Sequence, residues 1–192
     1  QGAVASGSYL EKLIALARTH RFYVFSDECY SEIYREEAPP GILQVAARTG
    51  SLDYVLAFNS LSKRSNAPGF RSGFIAGDAA FISDYLEYRN VASPQVPLPI
   101  QYASAALWPD EAHVERSRAL YREKFAAASE KMGAMPGFYL PAGGFFLWLN
   151  LAESGGGEEA ALKVWKGCGV KILPGAYLAQ PDARGINPAQ DY

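Results

Sequence analysis

The sequence predicts an α/β fold, with part of a mostly parallel sheet and its helices first and a small α+β domain after it. Two observations carry this. Short apolar runs of strand length at residues 22–27, 54–58 and 74–78 alternate with stretches of helical periodicity. The first two runs end in loops dense in polar and charged residues, where an open parallel sheet binds its ligands.

Composition narrows the class further. At 192 residues the chain has room for one ordinary domain or two small ones. Its 49% hydrophobic and 20% charged residues are those of a globular protein with a real core. A formal net charge of -2 and the lack of a long basic run argue against a nucleic-acid surface. No apolar stretch approaches the roughly 20 residues of a membrane helix, so no membrane partner is expected. Residues 1–7 lack the charged and apolar regions of a secretory signal. Cys29 and Cys168 are far apart and form no Cys-x-x-Cys pair, which suits a reduced, cytoplasmic setting without zinc. His20 and His113 are too few and too separated for a metal cluster, and both are expected at the surface.

Taken in order, residues 8–20 read as a helix with Ser8 as N-cap and Glu11 completing a capping box. Leu10, Leu13, Ile14 and Ala17 then face the sheet. The strand at 22–27 ends on Asp27. Residues 31–41 are polar, contain two prolines and read as a loop, and 44–47 form a short helix. The strand at 54–58 leads into a serine- and lysine-bearing loop, and the strand at 74–78 is expected to pair beside it. Residues 79–89 read as a helix with Phe81, Ile82, Tyr85 and Leu86 on one face. The three prolines within 91–99 suggest a linker, followed by an apolar helix at 100–107.

The longest helical pattern covers 109–132, with Val114, Ser117, Tyr121, Phe125, Ala128 and Met132 along one stripe. Gly143 and Gly144 precede an aromatic run at 145–150 that reads as a buried strand, for close backbone approach or for packing alone. A flexible loop, a helix at 158–167 and a short strand with a turn at 170–175 follow.

The chemistry concentrates in Ser60-Leu61-Ser62-Lys63 and, a few residues on, Gly69-Phe70-Arg71-Ser72-Gly73. Serine hydroxyls and a forked guanidinium can together hold a phosphate dianion. A lysine amine beside that phosphate can form a Schiff base with an aldehyde. Phosphate, aldehyde and lysine together point to pyridoxal 5'-phosphate. Read alone, Ser-x-Ser-Lys also describes a solvated basic turn, and Asp27 alone also suits a helix N-cap. A carboxylate at a neighbouring strand end can instead keep a pyridine nitrogen protonated, which favours the cofactor reading for the pair.

The extended pattern, with Phe22-Tyr23-Val24-Phe25-Ser26-Asp27-Glu28-Cys29-Tyr30 upstream, resembles the class I/II aminotransferases, which are fold-type-I pyridoxal-phosphate enzymes. The resemblance implies that Lys63 is the cofactor lysine and proton shuttle, and that Asp27 pairs with the ring nitrogen. It implies too that Tyr30 meets the ring oxygen while Ser60, Ser62 and Arg71 hold the phosphate. Residues 1–108 would be the carboxyl-terminal portion of the large cofactor-binding domain, and 109–192 a small domain that stops early. Gln1-Gly2 resembles the tail of an Asn-Pro-x-Gly turn, so a carboxyl-terminal half of a longer homodimeric protein is expected. The family's carboxylate-binding arginine would lie beyond Tyr192, and Arg184 is not given that role.

The wording of residues 60–66, 143–148 and 173–178 is most similar to succinyldiaminopimelate aminotransferases. That implies amino-acid and 2-oxo-acid substrates, with glutamate and 2-oxoglutarate as one pair, in lysine biosynthesis. A carbon–sulfur lyase of the same fold type, a ligand-sensing domain without catalysis and an inactive half remain as alternatives.

Overall fold

A computed structural model describes residues 2–93 and 95–192; Gln1 of the turn resemblance and Pro94 of the expected linker lie outside the described residues. Helix α1 (Gly7–His20) starts two residues earlier than its capping box suggests. Ser6, not Ser8, is the N-cap: its hydroxyl accepts from the Tyr9 N–H at 3.2 Å. The helix buries Leu10, Ile14 and Ala17, the stripe its periodicity marks. Strand β1 (Val24–Asp27) follows, then α2 (Ile42–Arg48) and β2 (Val55–Ser60).

The four-residue α3 (Leu61–Arg64) carries the lysine; a 3-10 turn at Pro68–Phe70 leads to β3 (Gly73–Gly77). Helices α4 (Ala79–Ala92), α5 (Leu98–Leu107), α6 (Ala112–Met132) and α7 (Gly157–Cys168) complete the regular structure, together with short 3-10 turns at Ala152–Ser154 and Gly175–Leu178.

The sheet runs β1-β2-β3. β1 and β2 are parallel, with Val24 opposite Val55 and Asp27 opposite Phe58. β3 is antiparallel to β2, with Ser60 opposite Gly73 and Leu56 opposite Gly77. The pairing of 74–78 beside the previous strand is thus seen, in reversed direction. Val55 and Ala57 point to one face, where they pack with Leu10, Ile14, Ile42, Val45 and Ala46 from α1 and α2. On the other face Phe25 meets Phe58 edge-on at 5.6 Å between ring centroids and Phe81 of α4 at 5.5 Å.

Two glycines make the β2–β3 pairing sterically possible. A Cβ on Gly73 would stand 2.3 Å from the Asn59 carbonyl oxygen, and one on Gly77 only 2.0 Å from that of Val55. Gly77 also sits at φ +147°, a conformation side chains rarely adopt.

The chain divides into two compact units. One comprises Ala3–Glu123 with Ala142–Phe145; the other is mainly Lys124–Pro141 and Phe146–Tyr192. All three strands lie in the first. In the second unit the strands expected at 145–150 and 170–175 do not form. A strand needs a ladder partner, and the second unit is held instead by its segment 187–192. There Trp148 stacks on Tyr192 at 5.2 Å, and the Leu151 and Gly157 N–H groups donate to Asp191 and Gln190 carbonyls at 2.7 and 2.9 Å. Among the described residues no helix is long and apolar enough to cross a membrane.

Candidate active site

Because β1 and β2 are parallel and aligned, their carboxyl ends lie side by side. Asp27 ends one, and Ser60 ends the other and opens the turn that carries Lys63. β3 starts at the same end, since Gly73 faces Ser60, so Arg71 arrives there too. The ladder runs on past β1, with the Glu28 N–H donating to the Phe58 carbonyl at 2.9 Å. Glu28 holds the neighbouring elements: its Oε1 accepts from the Ile42 N–H at 2.7 Å, which caps α2.

Ser60 Oγ accepts from the Ser62 N–H at 3.1 Å and lies 2.9 Å from Ser62 Oγ. It also reaches the Ser72 carbonyl at 3.1 Å, which ties the two feet of the lysine loop together. Arg71 adopts the left-handed conformation at φ 50° and donates one N–H to the Pro68 carbonyl at 3.0 Å. The Lys63 amine lies 5.8 Å from the Tyr30 ring centroid and 5.1 Å from that of Phe145, and the two rings are 5.4 Å apart. Asp27 accepts from the Cys29 N–H at 3.1 Å. Burial, and next the Asp27 carboxylate, push the Cys29 thiol up to about 11.

An open cleft of about 930 Å³ adjoins this end of the sheet. Asp27, Cys29, Asn59, Arg71 and Gly73 line it at the strand ends, with Phe25, Phe58 and Phe74 along the sheet face and Tyr85 and Arg89 from α4. Of the six residues singled out from sequence, Asp27 and Arg71 line the cleft, and Lys63 and Tyr30 lie together beside Phe145. Ser60 and Ser62 sit in the lysine turn.

Phe145 was not anticipated as a neighbour of Lys63. Its signal was the glycine pair ahead of it, which lets Gly143 bridge Tyr34 and the Gly144 N–H donate to the Ile33 carbonyl at 2.8 Å. His113 is also not a free surface residue, since both ring nitrogens are engaged, by Asp110 and Ser65.

A family model described as aminotransferase class I and II matches residues 1–188. The chain belongs to that family. Members of the family use pyridoxal phosphate. The chain is 38% identical over 185 residues to the 4-dedimethylamino-4-oxo-anhydrotetracycline transaminase of Streptomyces rimosus, covering 94% of this chain and 50% of that protein. It is 32% identical over 172 residues to the LL-diaminopimelate aminotransferase of Aquifex aeolicus, covering 87% and 43%. A crystal structure of an aminotransferase from Neisseria meningitidis matches with TM-score 0.92 and 40% identity, covering all of this chain and 49% of that one. The aminotransferase fold type is thereby shown. This class I/II chain spans about half the length of the curated relatives it matches.

Proposed function

We propose that this chain is the lysine-bearing half of a pyridoxal-phosphate-dependent aminotransferase that moves an amino group between an amino acid and 2-oxoglutarate. One observation carries the reading: parallel β1 and β2 bring Asp27 and the Ser60–Lys63 turn to one end of the sheet, with Arg71 returning beside them.

The donor set suits the cofactor. Two hydroxyls 2.9 Å apart and an arginine with one of its five donors used on Pro68 match a phosphate dianion. A carboxylate on the cleft matches a protonated pyridine nitrogen. Bound there, pyridoxal phosphate supplies the aldehyde and an electron-accepting ring.

The chain's own residues do the rest. Ser60, Ser62 and Arg71 hold the phosphate, and Asp27 holds the proton on the ring nitrogen. The Tyr30 hydroxyl orients the ring oxygen, and the Lys63 amine takes the proton from the substrate α-carbon. Such positioned proton transfer is worth about 10²–10⁴-fold. The wording of residues 60–66 and 173–178 supports N-succinyl-diaminopimelate as the amino donor, in cytoplasmic lysine biosynthesis, and the similarity to an LL-diaminopimelate aminotransferase agrees with that chemistry. The working unit is a homodimer of the full-length protein.

The test is glutamate formation from 2-oxoglutarate with N-succinyl-diaminopimelate, by the protein at the length its relatives have. Lys63→Ala should abolish it, and Arg71→Ala should mainly weaken cofactor binding. Near-normal turnover in the lysine variant overturns the assignment. Release of ammonia and a thiol from a cystathionine-like substrate, without glutamate formation, would instead mark a carbon–sulfur lyase.

A further inference from the structure

The three residues after Lys63 are each fastened to the same neighbouring segment. Arg64 is buried, at 7% exposure. Its guanidinium donates to the carbonyls of Leu107 at 3.2 Å and Trp108 at 3.0 Å, pairs with Glu111, and lies 5.5 Å from the Trp108 ring centroid. Those carbonyls are the unsatisfied end of α5, where a cation is favoured. The Ser65 hydroxyl lies 2.8 Å from His113 Nε2, and His113 Nδ1 lies 2.9 Å from Asp110 Oδ2. Asp110 in turn accepts from the Ala112 N–H at the start of α6. The Asn66 amide donates to Ser117 Oγ at 3.3 Å. Trp108 packs edge-on against Phe74 of β3 at 4.9 Å, which ties the segment back to the sheet.

Ser65, His113 and Asp110 have the hydrogen-bond order of a hydrolase triad, but Ser65 is the C-cap of the lysine turn and all three are absent from the lining of the cleft. Their bonds hold chain to chain. On the other side of the lysine, Leu61 is fully buried and its carbonyl accepts from the Ser65 and Ala67 N–H groups at 3.0 and 3.2 Å. The one-turn α3 is too short to be rigid by itself, so its orientation is set by these attachments.

We infer that Arg64 is a positioning residue: by clamping the lysine turn to the α5–α6 connection, it sets the direction in which the Lys63 amine points. A lysine at position 64 keeps the charge but not the planar fork that spans two carbonyls and a carboxylate together. Small displacements of a reacting group cost rate steeply, on the order of 10²-fold for about 1 Å. The inference rests on the reading of Lys63 as the cofactor lysine.

The experiment is reductive trapping. The full-length protein is mixed with pyridoxal phosphate and reduced with borohydride, and the labelled lysines are mapped by mass spectrometry against time. The same is done for Arg64→Lys, Arg64→Met and Ser65→Ala, with circular dichroism and thermal midpoints checking that each is folded. The wild type should label at Lys63. Arg64→Lys should label there at least about tenfold more slowly, with label spread to other lysines, and Ser65→Ala should fall between. The pH midpoint of the visible band of the lysine-bound cofactor should also move in Arg64→Lys. A merely structural arginine would lower the thermal midpoint and leave trapping rate, selectivity and band unchanged, which overturns the inference alone. A wild type that traps nothing at Lys63 removes the functional reading and this inference with it. If Arg64→Met fails to fold, the lysine and serine variants decide.

Discussion

At the residue scale, the Cys29 thiol sits beside the Asp27 carboxylate, and burial together with that carboxylate raises its pKa to about 11. At pH 8 very little of it is thiolate, so iodoacetamide should alkylate Cys29 on the order of 10²-fold more slowly than an unstructured cysteine peptide. Asp27→Asn should speed the reaction, because the carboxylate charge that helps hold the thiol protonated is gone. Equal rates for the two proteins, followed by mass spectrometry, would show that Asp27 does not act on this side of the strand end. This assay reports on Asp27 without needing turnover. That Asp27 and the lysine turn come to one end of the sheet was legible in the sequence, because Asp27 closes one apolar run of strand length and the turn follows another, and a parallel sheet brings such ends together. Phe145 and His113 were not, because their partners Lys63 and Ser65 are tens of residues away and no local pattern links them.

Elements are joined by single side chains whose loss should be felt. The Asp78 carboxylate accepts from the Phe81 N–H at 2.9 Å, capping α4, and from the Tyr54 N–H at 2.8 Å, fixing the entry to β2. Asp78→Ala should cost about 1–3 kcal/mol in urea unfolding, more than an ordinary cap, since a second donor is left unpaired. Those same bonds hold the carboxyl below its ordinary range. A depressed carboxylate stabilises the fold above its unfolded pKa, near 4, and that contribution is lost as the pH falls through the lower folded value. The wild type should therefore lose its advantage over Asp78→Ala in acid, with the two midpoints converging below about pH 4. Gly77→Ala should be worse than propensity alone suggests, by more than about 1 kcal/mol, because its φ and the Val55 carbonyl both forbid a Cβ.

Helix periodicity located α1, α4, α6 and α7 well, whereas caps and strands were read less faithfully. Ser6 outcompetes Ser8 as cap although both hydroxyls are 3.1 Å apart. The aromatic run at 145–150 had the composition of a strand but not the paired neighbour that makes one.

For the molecule as a whole, the sheet has β1 and β3 at its edges, and Phe25 and Phe74 on them are 57% and 47% exposed. Unpaired edges with apolar side chains invite association. The 192-residue chain taken alone should self-associate in sedimentation velocity at micromolar concentration, and Phe25→Lys should shift it toward monomer. A strictly monomeric wild type would sink that expectation. The α/β class was legible from alternation of elements. The division of the chain inside α6 was not, because the amphipathic stripe runs through Lys124 without a break.

Ser60 and Gly73 face each other across the β2–β3 ladder, so everything between them is an excursion with both feet already stapled. A single nick in that excursion, for instance by a protease after Lys63, would leave two polypeptides still zipped together. Shape and chemistry can thus be severed from one another with one cut: the nicked protein should keep its circular dichroism spectrum and elute unchanged, and, with Lys63 as the proposed cofactor lysine, should no longer take up vitamin B6.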